Sequence, residues 1–238
     1  MIESVNNKHV KYLTKLMTKK YQDVENKFIV VGEHLVMEAK NSGYLEKAVL
    51  TEKSDEFDDY ILVSENVLKK ITDLKSAPKI IGVCKKIVPR KINGTVAVLD
   101  NIQDPGNLGT IIRSACAFNI DTILISKNSV SAYNQKVLRA SEGMIFHQNF
   151  IICDVKEKVE NLKKEGYTIY TTDVSNGKNL EQINFDEKSC IILGNEGSGV
   201  SSALSILADK KINIKMNERC ESLNVAVCAS IIFYHLSI

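Results

Sequence analysis

The sequence lacks the features that would take it out of the ordinary globular class. No stretch reaches the roughly 18 apolar residues of a membrane span, so no membrane partner is expected. The opening MIESVNNKHVKYL sets no long apolar run beside positive residues, so no signal peptide is expected either. The six cysteines, at 84, 116, 153, 190, 220 and 228, form no CxxC pair. Zinc sites and disulfide frameworks need closer grouping or a small secreted scaffold, so buried reduced thiols and no metal are the expectation. Together these absences point to a cytoplasmic protein. A dominant charge is missing as well: a net charge of +2 and a pI near 8.1 are too mild to establish a nucleic-acid partner, although basic residues cluster locally. There is no internal repeat and no low-complexity segment.

What is present is a chain of 238 residues, 44% hydrophobic and 25% charged, enough for one large or two medium α/β domains with real cores. Ser4 is a candidate cap for a first helix in which Val5, His9, Tyr12, Leu13, Leu16 and Met17 share a face. Lys8, Lys11, Lys15, Lys19 and Lys20 fall largely elsewhere. A solvated lysine face is the ordinary reading of such a run, and a phosphate-binding edge the sharper one. Strands are predicted at 28–31, 47–50, 60–63 and 79–84, with helices at 33–40, stopped by Ser42-Gly43, and at 65–71 behind Ser64. KKIVPRKING at 85–94 interrupts the pattern with charge, Pro89 and Gly94, as a linker does. The expected organisation is therefore a small domain at 1–85, a linker at 86–94 and a second domain at 95–238, whose work is separable from that of the first.

The second domain opens with an apolar strand at 96–99 and a turn-rich loop, Asp104-Pro105-Gly106-Asn107, leading into a helix through Ile111, Ile112, Ala115 and Phe118. Arg113 is expected on the second turn of that helix, within reach of an anion near the loop; a surface cation is the plainer alternative. Further strands at 122–125, 150–153 and 168–171, with helices at 134–140 and 155–165, predict a mostly parallel, helix-covered sheet. Two more strand-to-helix loops close the chain, one in IILGNEGSGVS and one in INIKMNERCESLNVAV. If their strands are neighbours in the sheet, both loops line one pocket at the strands' carboxyl ends. LGNEGSG is not a convincing dinucleotide loop, because an acidic ribose partner some 20 residues on is missing, and a Walker loop would need GK[ST]. It does offer open main chain at Gly194, Gly197 and Gly199. Ser222 and Asn224, taken singly, read as helix caps.

Taken together, LDNIQDPGNLGTIIRSA at 99–115, LGNEGSGVS at 193–201 and ESLNVAV at 221–227 resemble, in order, the three motifs of the SpoU-type (TrmH-like) RNA ribose 2'-O-methyltransferases of the SPOUT superfamily. ASEG at 140–143 fits as well, and NxxVKYLxKL and FIVVGEHLVMEA resemble the family's L30e-like RNA-binding domain. The chain departs from the usual pattern at Lys215, Glu218 and Ala226 near the third motif and at Val31. The resemblance implies a trefoil knot in the C-terminal parallel sheet, S-adenosylmethionine bent between the second and third loops, an RNA substrate and a homodimer through 225–236. Gly194, Ile214 and Leu223 would contact the cofactor, Leu193 and Met216 would line its slot, and Asn195 and Gly197 belong to the same site. Arg113 would hold a phosphate and stabilise the developing alkoxide, with Asn107 and Glu196 fixing it and the loops. Ser222 and Asn224 would place the hydroxyl or the cofactor carboxylate. Lys8, Lys11, Lys15, Lys19 and Lys20 would hold RNA, ribosomal RNA before transfer RNA. A non-catalytic RNA-binding protein and a nicotinamide-dependent oxidoreductase stay open as alternatives.

Overall fold

A computed structural model of the chain describes residues 1–173 and 177–237. Its contacts divide into two compact units, Met1–Val88 with Tyr133–Phe146, and Pro89–Ala132 with His147–Ile238.

The first unit begins with α1 (Lys8–Leu16) and α2 (Lys19–Glu25). The cap of α1 is Asn7, whose side chain accepts from His9 N at 2.9 Å, and not Ser4, whose hydroxyl bonds Asn6 N ahead of the helix. The helix ends at Met17 and restarts, so Lys19 and Lys20 ride on a separate helix. Then follow β1 (Lys27–Val31), α3 (Glu33–Asn41), β2 (Leu45–Leu50), β3 (Tyr60–Leu62), α4 (Glu65–Thr72) and β4 (Ile80–Lys85). Gly43, at φ 75°, ends α3 in the left-handed conformation that favours glycine. The sheet runs β1-β4-β2-β3, with β4 antiparallel to both neighbours and β3 parallel to β2. Val10, Leu13 and Leu16 of α1 join Ile29, Val49, Val67, Leu68, Ile71 and Ile81 in one core.

The second unit holds β5 (Val96–Leu99), α5 (Pro105–Ala117) and β6 (Thr122–Ser126), after which the chain crosses into the first unit as α6 (Gln135–Ala140). It returns for β7 (Asn149–Cys153), α7 (Val155–Lys164), β8 (Thr168–Thr172), β9 (Lys178–Asn179), β10 (Ser189–Leu193), α8 (Ser202–Ser205), β11 (Lys210–Asn213) and α9 (Val225–Ser237). Among the described residues these strands form one parallel sheet in the order β7-β6-β5-β10-β8-β11-β9. Every residue of β5, β6 and β10 is buried, as apolar runs in a sheet covered on both faces should be. No helix among the described residues is long and apolar enough to cross a membrane.

Two details matter for the site. The strands β10 and β11 are not neighbours, because β8 lies between them. The two closing loops therefore meet only across the end of β8. The second detail is the segment Tyr133–Phe146, which packs into the core of the first unit. Tyr133 and Phe146 lie 4.6 and 6.1 Å from Phe28, and Gln135 Nε2 donates to the Ile29 carbonyl at 2.7 Å. A chain begun at Arg90 would strip the cover from Tyr133, Val137, Leu138, Ile145 and Phe146, each under a tenth exposed. Such a fragment is expected to aggregate, read as light scattering during purification; a soluble, cooperatively melting fragment would show that the segment finds another seat.

Candidate functional site

The carboxyl ends of β8, β10 and β11 surround a cleft of about 660 Å³, within the range of small-molecule sites. Leu193, Gly194, Asn195, Gly197, Ile214, Met216 and Leu223 all line it, together with Glu196, Ser222 and Asn224. Thr172, Asp173, Ser198, Gly199, Val200, Ser205, Ile212, Val225 and Cys228 complete the lining. The end of β8, Thr172-Asp173, carries no motif, and only the strand order brings it to the cleft. Lys215 and Glu218 are exposed and outside the lining, so these departures leave the apolar wall intact. Burial pushes the Cys228 thiol up to about 11, which leaves it protonated and unreactive at neutral pH.

The glycine loop closes on itself. Asn195 N donates to the Gly199 carbonyl at 2.9 Å and Gly199 N returns the bond at 3.0 Å. Asn195 Oδ1 accepts from Gly197 N and Ser198 N at 2.9 and 3.1 Å, so this side chain shapes its own loop. A Cβ on Gly194 would lie 2.1 Å from Gly199 C and 2.2 Å from Val200 N, a clash with main chain. The other end of the loop is pinned by Asp100, nine-tenths buried, whose Oδ2 accepts from Ser201 N at 2.9 Å. Sequence reasoning missed Asp100 because an acid after an apolar strand reads as the first residue of a loop.

Glu196 ties this loop to the one that starts α5. Its carboxylate accepts from Gln103 N at 3.3 Å, Asp104 N at 3.1 Å, Asn107 Nδ2 at 3.0 Å and Asn195 Nδ2 at 3.3 Å. Partial burial pushes its pKa up, but the bonds from Asn107 and from main-chain N–H groups outweigh this and hold it below the usual carboxylate value. A carboxylate so engaged is a brace and a poor proton acceptor. Asn107 Oδ1 in turn accepts from Asn224 Nδ2 at 2.9 Å, while Asn224 Oδ1 caps α9 by accepting from Ala226 N at 2.9 Å. Asn107, Glu196 and Asn224 thus link all three loops in one hydrogen-bonded chain.

Arg113 is not part of that chain. It is the ninth residue of α5, on the third turn and not the second, roughly 12 Å along the axis from the first residue at 1.5 Å per residue. It is exposed, and its side chain makes no hydrogen bond or ion pair among the described residues. Its neighbour Ser114 bonds Ser230 of α9 at 2.7 Å, and Phe118 meets Tyr234 edge-on at 5.7 Å, so α5 and α9 lie side by side. The lysines at 8, 11, 15, 19 and 20 are all exposed, on α1 and α2 of the first unit.

Comparison with known proteins places this geometry. The sequence profile of the SpoU rRNA Methylase family matches residues 94–234, and that of the MRM3-like substrate binding domain matches residues 7–82. The 23S rRNA (guanosine(2553)-2'-O)-methyltransferase RlmP of Bacillus subtilis is 36% identical over 99% of this chain and 98% of its own length. Among solved structures, the AdoMet-bound rRNA methyltransferase from Sinorhizobium meliloti shares the fold with a TM-score of 0.86, at 23% identity over 98% of this chain and 95% of that one. The SpoU methyltransferase AviRb from Streptomyces viridochromogenes, in complex with the cofactor AdoMet, shares it with a TM-score of 0.84 at 21% identity, covering 97% of each chain.

Proposed function

The chain belongs to the SpoU rRNA methylase family, and from that premise we propose that it methylates a ribose 2'-hydroxyl of large-subunit ribosomal RNA. It is an S-adenosylmethionine-dependent RNA 2'-O-methyltransferase. The full-length likeness to a 23S rRNA enzyme favours ribosomal over transfer RNA as the target and the cytoplasm as the place of work. The observation that carries the reading is the joining of three separated motifs through Glu196, Asn107 and Asn224, the second and third of them lining one cleft.

The cleft fits the cofactor. Leu193, Ile214, Met216 and Leu223 give apolar walls for a flat purine, and Gly194 puts main chain on the cleft with no side chain in the way. S-adenosylmethionine, when bound, supplies an activated methyl group. The protein has to orient the ribose hydroxyl, exclude water and manage the charge that grows on oxygen. Ser222, exposed on the cleft rim, positions the hydroxyl, and Asn224 holds its loop against Asn107. Arg113 grips the neighbouring phosphate and stabilises the developing alkoxide; a guanidinium, which keeps its proton in proteins, is no base.

Val227, Ile231 and Tyr234 of α9 form an exposed apolar stripe at helical spacing, 47%, 37% and 55% exposed, which a second copy covers in a homodimer. Arg113 sits beside the α5–α9 junction, so such a dimer brings it to the boundary between copies. The knotted threading implied by the family resemblance is part of the same proposal. A dinucleotide reading fits poorly, since α8 after the glycine loop has only four residues and the loop's donors are turned inward onto Asn195.

Leu223→Arg tests the cleft directly. It puts a charge into an apolar wall and is expected to weaken S-adenosylmethionine binding at least a hundredfold in calorimetric titration, with thermal stability little changed because Leu223 is only half-buried. Undiminished binding would remove Leu223 from the site.

A further inference from the structure

The segment Tyr133–Phe146 lies within the residues matched by the methylase profile and outside those matched by the substrate-binding profile, yet it folds into the first unit. Its helix α6 turns Val137 and Leu138 inward, fully buried, and leaves Lys136 and Arg139 exposed, three residues apart on one face. We infer that Lys136 and Arg139 bind phosphodiester groups of the substrate RNA, extending the basic face of α1 and α2 across the edge strand β1. The inference rests on the reading of the protein as an RNA methyltransferase and deepens it.

Three observations carry it. The first is continuity. Gln22 of α2, 3% exposed, donates to the Tyr133 carbonyl at 3.5 Å, one residue before the cap of α6, and Gln135 of α6 donates to Ile29 of β1 at 2.7 Å. The helix bearing Lys19 and Lys20 and the helix bearing Lys136 and Arg139 thus attach to the same edge strand.

The second is charge. Lys136 and Arg139 make no side-chain ion pair or hydrogen bond among the described residues, and α6 contains no acid. The acids of α2 are engaged: Asp23 pairs with Lys86 at 2.5 Å and Glu25 accepts from the Tyr12 hydroxyl at 3.4 Å. Glu142, after α6, faces His34 at 3.7 Å. Lys136 and Arg139 therefore stand without a carboxylate partner on their own helix, and phosphate is their complement.

The third is rigidity. Asn134 Oδ1 caps Lys136 N at 2.8 Å and the buried Ser141 hydroxyl closes the far end on the Leu138 carbonyl at 2.9 Å. The two cations therefore start from a fixed base, which lowers the entropy lost when they grip a backbone.

The test uses the full chain, with in vitro transcribed large-subunit ribosomal RNA and poly(U) as probes. Lys136→Ala/Arg139→Ala is expected to lose about tenfold in affinity for both probes and to flatten the plot of log affinity against log salt by about 1.5, two phosphates at roughly 0.7 to 0.9 each. Cofactor affinity and melting temperature should not move. In the wild type, saturating RNA should protect Lys136 from an amine-acylating reagent, read by mass spectrometry. Wild-type protein without salt-dependent RNA binding would overturn the RNA reading itself. Wild-type binding with a steep slope, shared unchanged by the double variant, or equal acylation of Lys136 with and without RNA, would overturn this inference alone.

Discussion

Gly194→Ala should cost the protein its cofactor: calorimetric titration of the variant with S-adenosylmethionine is expected to show no heat of binding at concentrations a hundredfold above those that saturate the wild type. The new methyl would stand 2.1 to 2.4 Å from the carbonyl carbon and oxygen of Gly199 and the nitrogen of Val200. Main chain cannot step aside as a flexible side chain can. The paired bonds between Asn195 and Gly199 would have to open, and with them the wall of the cleft. Overpacking of this kind costs about 1 to 3 kcal/mol of stability, so the melting temperature should fall without loss of the fold. Gly197→Ala is the contrast, since its Cβ would meet only Asn195 Oδ1 at 3.6 Å, an ordinary contact. It should keep the loop's shape and lose far less binding. Wild-type affinity in Gly194→Ala would mean that the loop's shape does not form the cofactor wall.

Arg113→Ala should separate chemistry from cofactor binding. Arg113 is absent from the cleft lining, so the affinity for S-adenosylmethionine is expected to stay within about threefold. Methyl transfer should fall by a factor on the order of 100 to 1,000, the usual cost of removing one group that stabilises transition-state charge. Arg113→Lys should recover only part of this, because a point charge lacks the planar fork that grips a phosphate. Single-turnover transfer of labelled methyl to RNA reads the effect. A kcat within a few-fold of wild type would leave Arg113 as a surface cation.

Where local chemistry decides, the sequence specifies its structure closely. The strand at 96–99 stands as expected, because four consecutive apolar residues before a turn leave little choice. Asp154 caps α7 by accepting from Lys156 N and Glu157 N. The α/β class and the parallel second sheet follow from the same alternation. The misreadings have physical causes. Ser4 and Asn7 are both good caps, and only the seating of Val10, Leu13 and Leu16 in the core selects the second. Arg113 stands a turn later than its spacing suggests, because the Asp104 cap and Pro105 set the start of α5 and counting from them reaches the third turn. The strand order, with β8 between β10 and β11, is a long-range property that no local pattern encodes. The return of Tyr133–Phe146 to the first unit is of the same kind: its apolar residues suit either core, and the partner, Phe28, is over a hundred residues away.

Within the site, the three motifs were visible, but the division of labour was not. Asn195 and Glu196 could each have faced the ligand with their side chains. Instead their polar atoms are largely spent on joining the loops, and the cleft is offered main chain and apolar surface.

If the proposed function holds, this chain moves a methyl group from S-adenosylmethionine to a ribose 2'-oxygen of large-subunit ribosomal RNA. Incubation of the purified protein with tritiated S-adenosylmethionine and unmodified transcript, followed by alkaline hydrolysis, tests it most directly, because a 2'-O-methyl group blocks cleavage at the modified residue. The expected result is one mole of label per mole of RNA, retained in a single alkali-resistant dinucleotide. Label released in mononucleotides would place the methyl on a base, and no incorporation into that transcript alongside incorporation into transfer RNA would contradict the assigned target.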